Sequence, residues 1–307
     1  MFPKVGDNLP QKKLPKALSE YRRSVSIMSV ASTTKPLQIP VKTTSVAQPR
    51  MPFLLQVFTL TKRNIVTVFR TPAEIIPSLI ISVFFLAVFQ ASLGGASNFL
   101  PGLSGKSYLG FILPFSVVSA ALSGAGVAGQ SVVRDITNGY FDKLLLTPVS
   151  RAALLLSAIF GGAFVLGLQA ALVMLVGLAS GLRPETGALG LLTVMGFALL
   201  IGTAFAGFTV GVALQTGSPG ATQGASFLFF PLSFLTATFV PLTLLTGWLR
   251  TAAELNPITY ILDAMRTILN TGWTTEIILR GLGSALALSV LTYTFAVVSL
   301  RARTRRK

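Results

Sequence analysis

Residue types able to do covalent chemistry are scarce in this chain. Its 307 residues include no histidine and no cysteine, and only nine are Asp or Glu. The usual general base, the commonest metal ligand and any thiolate are therefore missing by type. No two acids pair closely inside an apolar run. One stretch imitates a phosphate-binding loop: residues 101–107 read PGLSGKS. The pattern G-x-x-x-x-G-K-[ST] needs its first glycine at position 100, and that residue is Leu100. No other stretch offers a nucleotide site. The chain is expected to be no enzyme and to bind no cofactor or metal itself. If ATP powers it, the ATPase is another chain or domain.

Charged residues nevertheless gather at two informative places. Residues 134–151, RDITNGYFDKLLLTPVSR, form a charged island between long apolar runs; residues 152–182 carry no charge at all. Within the island, Ile136, Tyr140 and Leu144, and likewise Phe141 and Leu145, follow helical spacing. Pro148 stops that turn, because the residue before a proline avoids the helical region. A short amphipathic helix joining two spans makes a lever that something outside the membrane could push.

The second place is residues 255–270, LNPITYILDAMRTILN. Asn256 is a good helix cap and Pro257 fits the first helical position. Ile258, Ile261, Leu262, Met265, Ile268 and Leu269 keep one apolar stripe, and the spacing puts Asp263 and Arg266 on the other side. So short a helix cannot span a bilayer, so it is expected to be re-entrant or interfacial.

The elements that position these stretches follow from composition. The chain is 52% hydrophobic and 11% charged, with mean hydropathy +0.72, far too little charge to surface a soluble domain of this size. An all-α polytopic membrane protein with six spans is expected, at about 75–92, 108–133, 152–180, 188–214, 225–245 and 281–300. Residues 186–249 contain no charge and are too long for one crossing, so QTGSPGATQG, 215–224, is read as the break between spans four and five. Residues 53–70 read as an amphipathic helix lying at the inner surface. Residues 1–50, rich in Lys, Ser, Thr and Pro, read as a disordered basic tail with some transit-peptide character and no secretory core. Residues 51–307 form the transmembrane domain.

The net charge of +16 is concentrated at the ends: nine of the 25 Lys and Arg lie in residues 1–50 and five in the last seven positions. That distribution points to anionic lipid headgroups and not to nucleic acid. Leaving out the tail, both termini inside gives eleven cations on the inner side against five outside. The cell membrane, with both termini and the 134–151 island in the cytoplasm, is the expected location.

Small residues recur at close spacing: Gly177 with Gly181, Gly207 with Gly211, and Gly124, Gly126, Gly129. They read as intrachain helix packing before a dimer seam. Pro231 falls inside span five, where a kink is expected. A carrier driven by an ion gradient would need ionisable groups within its spans, and Glu74, at the edge of span one, is the only candidate. Sugar-polymer export would suit a channel rich in Trp and Tyr. Here 2 Trp and 5 Tyr stand against 22 Phe, with Phe227, Phe229, Phe230 and Phe234 clustered in span five. An apolar or amphipathic cargo, a drug or a lipid, is favoured over a polysaccharide or glycolipid, and over an ion-coupled transporter or channel.

Leu255-Asn256-Pro257-Ile258-Thr259-Tyr260, followed by Asp263-Ala264-Met265-Arg266, resembles the signature before the last span of ABC-2 type permeases, especially the drug-resistance branch similar to daunorubicin exporters. Arg134-Asp135 with Gly139, Leu145, Pro148, Val149, Ser150 and Arg151 resembles that family's loop between spans two and three. The family usually has charged residues and then Gly-Thr there, where this chain has Asn138-Gly139-Tyr140. The resemblance implies a homodimer or heterodimer of six-span permeases paired with a cytosolic ABC ATPase, which would hold ATP and Mg. Arg134, Asp135, Gly139, Pro148 and Arg151 would then belong to a coupling helix seated on that ATPase, with Tyr140, Phe141, Leu144 and Leu145 as its apolar ridge. Asn256, Pro257, Tyr260, Asp263 and Arg266 would belong to an extracellular gate.

Overall fold

The computed structural model describes residues 51–71, 75–95, 107–236 and 242–305. Ten α-helices and one 3-10 turn account for the described elements, with no strand among them. They are α1 (Phe53–Arg70), α2 (Ile76–Leu93), α3 (Tyr108–Thr137), α4 (Tyr140–Leu145), α5 (Arg151–Ala179), α6 (Gly187–Thr216), α7 (Pro219–Phe234), the turn Leu242–Leu244, α8 (Gly247–Leu255), α9 (Pro257–Asn270) and α10 (Thr275–Arg305). Residues 1–50, the 101–106 part of the imitation phosphate loop, and Glu74 lie outside the described residues, as do the side chains of Phe229 and Phe230.

Five described helices, α2, α3, α5, α6 and α10, are long and apolar enough to cross a membrane. The expected fifth crossing differs from its reading. Gly217, with φ +61°, ends α6, and Ser218 caps a new helix by accepting from the Ala221 amide. Thus α7 starts at Pro219, inside the stretch read as a break, because Ser-Pro is a cap followed by a tolerated first-turn proline. It runs 16 residues, through Pro231 to Phe234.

The hub is α3, which packs against α2, α5, α6, α7 and α9. Its small residues make that possible. A Cβ on Gly124 would lie 2.8 Å from Leu166 Cβ and 2.9 Å from Leu166 Cα on α5, and one on Gly129 would lie 2.7 Å from Thr222 Cγ2 on α7. Thr209 of α6 donates its hydroxyl to the Ala125 carbonyl at 2.6 Å. In lipid, where burying a leucine gains little over leaving it in acyl chains, such close approach and interhelical hydrogen bonds hold helices together. Gly207 and Gly211 serve α10 in the same way, against Tyr293 and Phe295. Gly181 does not: its φ of +95° places it in the turn that ends α5.

Residues 53–70 form the expected helix, and the structure shows what its polar residues meet. Helix α1 runs lengthwise beside α5, with Gln56 at Ser150, Asn64 at Ser157 and Phe69 at Phe164. Its polar residues cause this. The Gln56 Oε1 accepts from the Ser150 amide at 2.9 Å, and Asn64 Nδ2 donates to the Ser157 carbonyl at 3.0 Å. Buried amides need such partners, so Gln56 and Asn64 face α5 while Leu54 and Phe58 face outward.

Candidate functional site

The 134–151 island sits at one end of the bundle, where it meets α1 and the last turns of α6 and α10. Helix α3 ends at Thr137, and Gly139, at φ +67°, reverses the chain into α4. That left-handed conformation favours glycine. Ser150 caps α5, its hydroxyl accepting from the Ala153 amide at 3.2 Å. Arg151 donates to Thr304 Oγ1 at 2.9 Å, and Arg303 donates to the Leu214 carbonyl at 2.9 Å. The island is thereby joined to α10, and α10 in turn to α6. Asp135 forms an ion pair with Arg63 of α1, whose guanidinium also lies 4.4 Å from the centre of the Tyr140 ring. Arg63 is raised above its ordinary pKa: burial pulls it down, but Asp135 and Tyr140 more than offset that.

The apolar ridge of α4 is divided. Phe141 and Leu144, 5% and 9% exposed, turn inward onto this chain's own helices, and Leu145 is half-buried. What α4 presents outward is Tyr140, Asp142 and Lys143, followed by Leu146 at 89% exposure. The physical reason is the six-residue length of α4. One and a half turns leave one face for docking onto the bundle and one for the outside. Leu146 was missed by the sequence reading. Its position one residue beyond the helix, before Pro148, was the available signal.

The second group lies at the opposite end of the bundle and is built around α9. Asn256 caps it, Oδ1 accepting from the Ile258 amide at 3.0 Å, while Nδ2 donates to the Leu232 and Leu235 carbonyls at 2.8 and 3.0 Å. One side chain thus satisfies the α9 start and the α7 end together. Tyr260 donates its hydroxyl to the Glu254 carbonyl at 2.7 Å. Pro257 occupies the first turn, as expected.

Helix α9 buries more of its surface than its apolar stripe alone. Its apolar residues Ile258, Ile261, Met265 and Ile268 are fully buried, and Arg266, read as polar-facing, is also buried, its side chain 7% exposed. Arg266 Nε donates to the Phe111 carbonyl at 3.0 Å, its guanidinium lies 3.8 Å from the centre of the Phe111 ring, and Nη1 reaches Asp263 Oδ1 at 3.5 Å. Burial pushes Asp263 above the ordinary carboxylate range against the pull of Arg266, and pushes Arg266 down to about 10 against Asp263 and Tyr108. The amphipathic partner outside is α8, whose Trp248 and Leu255 are exposed. Trp273 is exposed at the same end, as aromatic residues are at membrane surfaces. In α7, Phe227 is exposed while Phe234 packs edge-on against Phe115, ring centres 5.9 Å apart.

The family profile described as "ABC-2 type transporter" matches residues 55–270, which include both groups. The chain belongs to the ABC-2 type transporter family. It is a multi-pass membrane protein of that family, with 26% identity over 200 residues to the daunorubicin resistance ABC transporter permease protein DrrB1 of Streptomyces coeruleorubidus, covering 65% of this chain and 69% of that one. Identity is 27% over 215 residues to the probable doxorubicin resistance ABC transporter permease protein DrrC of Mycobacterium tuberculosis, covering 70% and 76%. It is 26% over 219 residues to the putative transport permease ycf38 of Cyanophora paradoxa, covering 70% and 74%. In this ABC-2 protein the matched region ends at Asn270, so it takes in α9 whole and stops before α10.

Proposed function

We propose that this chain is the permease subunit of an ATP-driven exporter, with ATP hydrolysed, with Mg, on a separate ABC ATPase. The observation that carries the reading is the end of the bundle built by α4: a short helix that turns Phe141 and Leu144 inward, meets Arg63 of α1 and Arg303 of α10 through its rings, and presents Asp142 and Leu146 outward. A rigid element with one free face is what a force-transmitting contact needs. This end carries Lys62, Arg63, Arg134, Lys143, Arg151, Arg301 and Arg303, so the positive-inside rule orients it to the cytoplasm with both termini. In that frame α7, at about 24 Å for its 16 residues, serves as the fifth of six crossings, ahead of α10. The group around Asn256, Pro257, Tyr260, Asp263 and Arg266 closes the outer end. Two permeases, alike or different, complete the pathway.

The cargo is an apolar or amphipathic molecule, a drug or a lipid. Two relatives named for resistance to daunorubicin and doxorubicin support that class, as does the weight of Phe over Trp and Tyr. The test is reconstitution of the chain with and without its ATPase in vesicles, scoring ATP-dependent movement of doxorubicin. Transport that needs both subunits and ATP is the expected result; transport by the chain alone would overturn the reading.

A further inference from the structure

A cavity of about 410 Å³ opens between α1, the last turns of α3 and α4. Its lining includes Arg63, Arg134 and Lys143 against the single acid Asp135, a net charge of +2; the Thr67 and Ser131 hydroxyls beside them already donate to the Arg63 and Ala128 carbonyls. Asp135 is already held by Arg63. The cavity lies where the apolar length of α3 gives way to its charged end, which is the depth of lipid headgroups in a bilayer. On α1, Val66 and Phe69 are exposed between this level and the middle of the bundle. A polar, cationic recess thus stands next to an outward apolar strip on the same helix.

We propose that this cavity binds the phosphate of an anionic lipid headgroup, with the acyl chains lying along α1. Guanidinium and ammonium donors match the oxygens of a phosphate diester, and the strip at Val66 and Phe69 accepts what a free phosphate lacks. The site needs only a membrane surface at this end of the bundle, so it does not depend on the transport reading.

The test is native mass spectrometry of the purified chain offered phosphatidylglycerol and phosphatidylcholine in equal amounts. The chain is expected to retain phosphatidylglycerol about tenfold better, two cations sufficing for such a preference. Arg134→Gln with Lys143→Gln should abolish the preference. Arg301→Gln with Arg305→Gln removes the same charge from the same end but outside the cavity, and should keep it. Lys143→Arg should also keep it and shows that substitution at this position leaves a folded chain. Retention that survives excess inorganic phosphate assigns the lipid; displacement by phosphate means that a free anion is the ligand and overturns the lipid assignment. No preference in the unaltered chain, as expected if the cations serve a protein carboxylate, overturns the proposal. Equal loss in both double variants also overturns it, because the attraction would then be diffuse.

Discussion

Arg266 holds Phe111 twice: its Nε donates to that residue's carbonyl at 3.0 Å, and its guanidinium lies 3.8 Å from the ring centre. The pair clamps the middle of α9 onto the first turn of α3. Asp263, the expected partner, is the lesser contact at 3.5 Å and is 38% exposed against 7% for Arg266. The two positions are therefore not equivalent.

Arg266→Gln should cost about 3 kcal/mol, as removal of a buried, bonded charge does. Arg266→Lys should recover little, since an ammonium cannot reproduce the flat stacking with the directed Nε bond. The charge-swapped pair, Asp263→Arg with Arg266→Asp, should be no better than Arg266→Asp alone, because it puts a carboxylate against the Phe111 ring and carbonyl. Thermal unfolding in detergent measures all four, and rescue by the swap would show that the ion pair, and not the Phe111 clamp, decides.

At the other end, Leu146 and Leu144 should respond oppositely to the same change. Leu144→Asp puts a charge into a site 9% exposed and should destabilise the fold by about 3 kcal/mol. Leu146→Asp, at 89% exposure, should leave unfolding unchanged. It should weaken retention of the ATPase by about tenfold or more, the worth of one leucine buried on binding. Copurification at matched expression, read beside the unfolding temperature, separates the two. An unaltered ATPase yield with Leu146→Asp would remove this residue from the contact.

Gly124 and Gly224 make a paired test of the hub. A Cβ at Gly124 would meet the Leu166 backbone at 2.9 Å, whereas nothing lies within 4 Å at Gly224. Gly124→Ala should force α3 off α5 and lower stability by about 1–3 kcal/mol, as overpacking does. Gly224→Ala should be neutral or slightly stabilising, since alanine favours a helix. Fluorescence-detected size exclusion after graded heating distinguishes them; equal loss at both positions would mean that helix approach is not what Gly124 serves.

The sequence alone determined the class of molecule. Long uncharged runs in a chain without His or Cys leave little besides spanning helices, because a backbone in lipid must satisfy its own hydrogen bonds. It also marked two local features that the structure builds, the capped start of α9 at Asn256-Pro257 and the turn at Gly139, since both are local signals with local causes. Only tertiary structure decided which way residues face. Periodicity put Arg266 on a polar side, but the first turn of α3 covers that position, so its arginine is buried against Phe111. The same periodicity joined Phe141 and Leu144 into an outward ridge, although α4 is too short to leave the bundle and turns both inward. Helix α1 shows the cause most plainly. Its pattern is amphipathic and reads as a surface helix, yet Gln56 and Asn64 find their partners in Ser150 and Ser157, more than 90 residues away. A pattern records which residues share a face; what that face meets depends on elements distant in the chain.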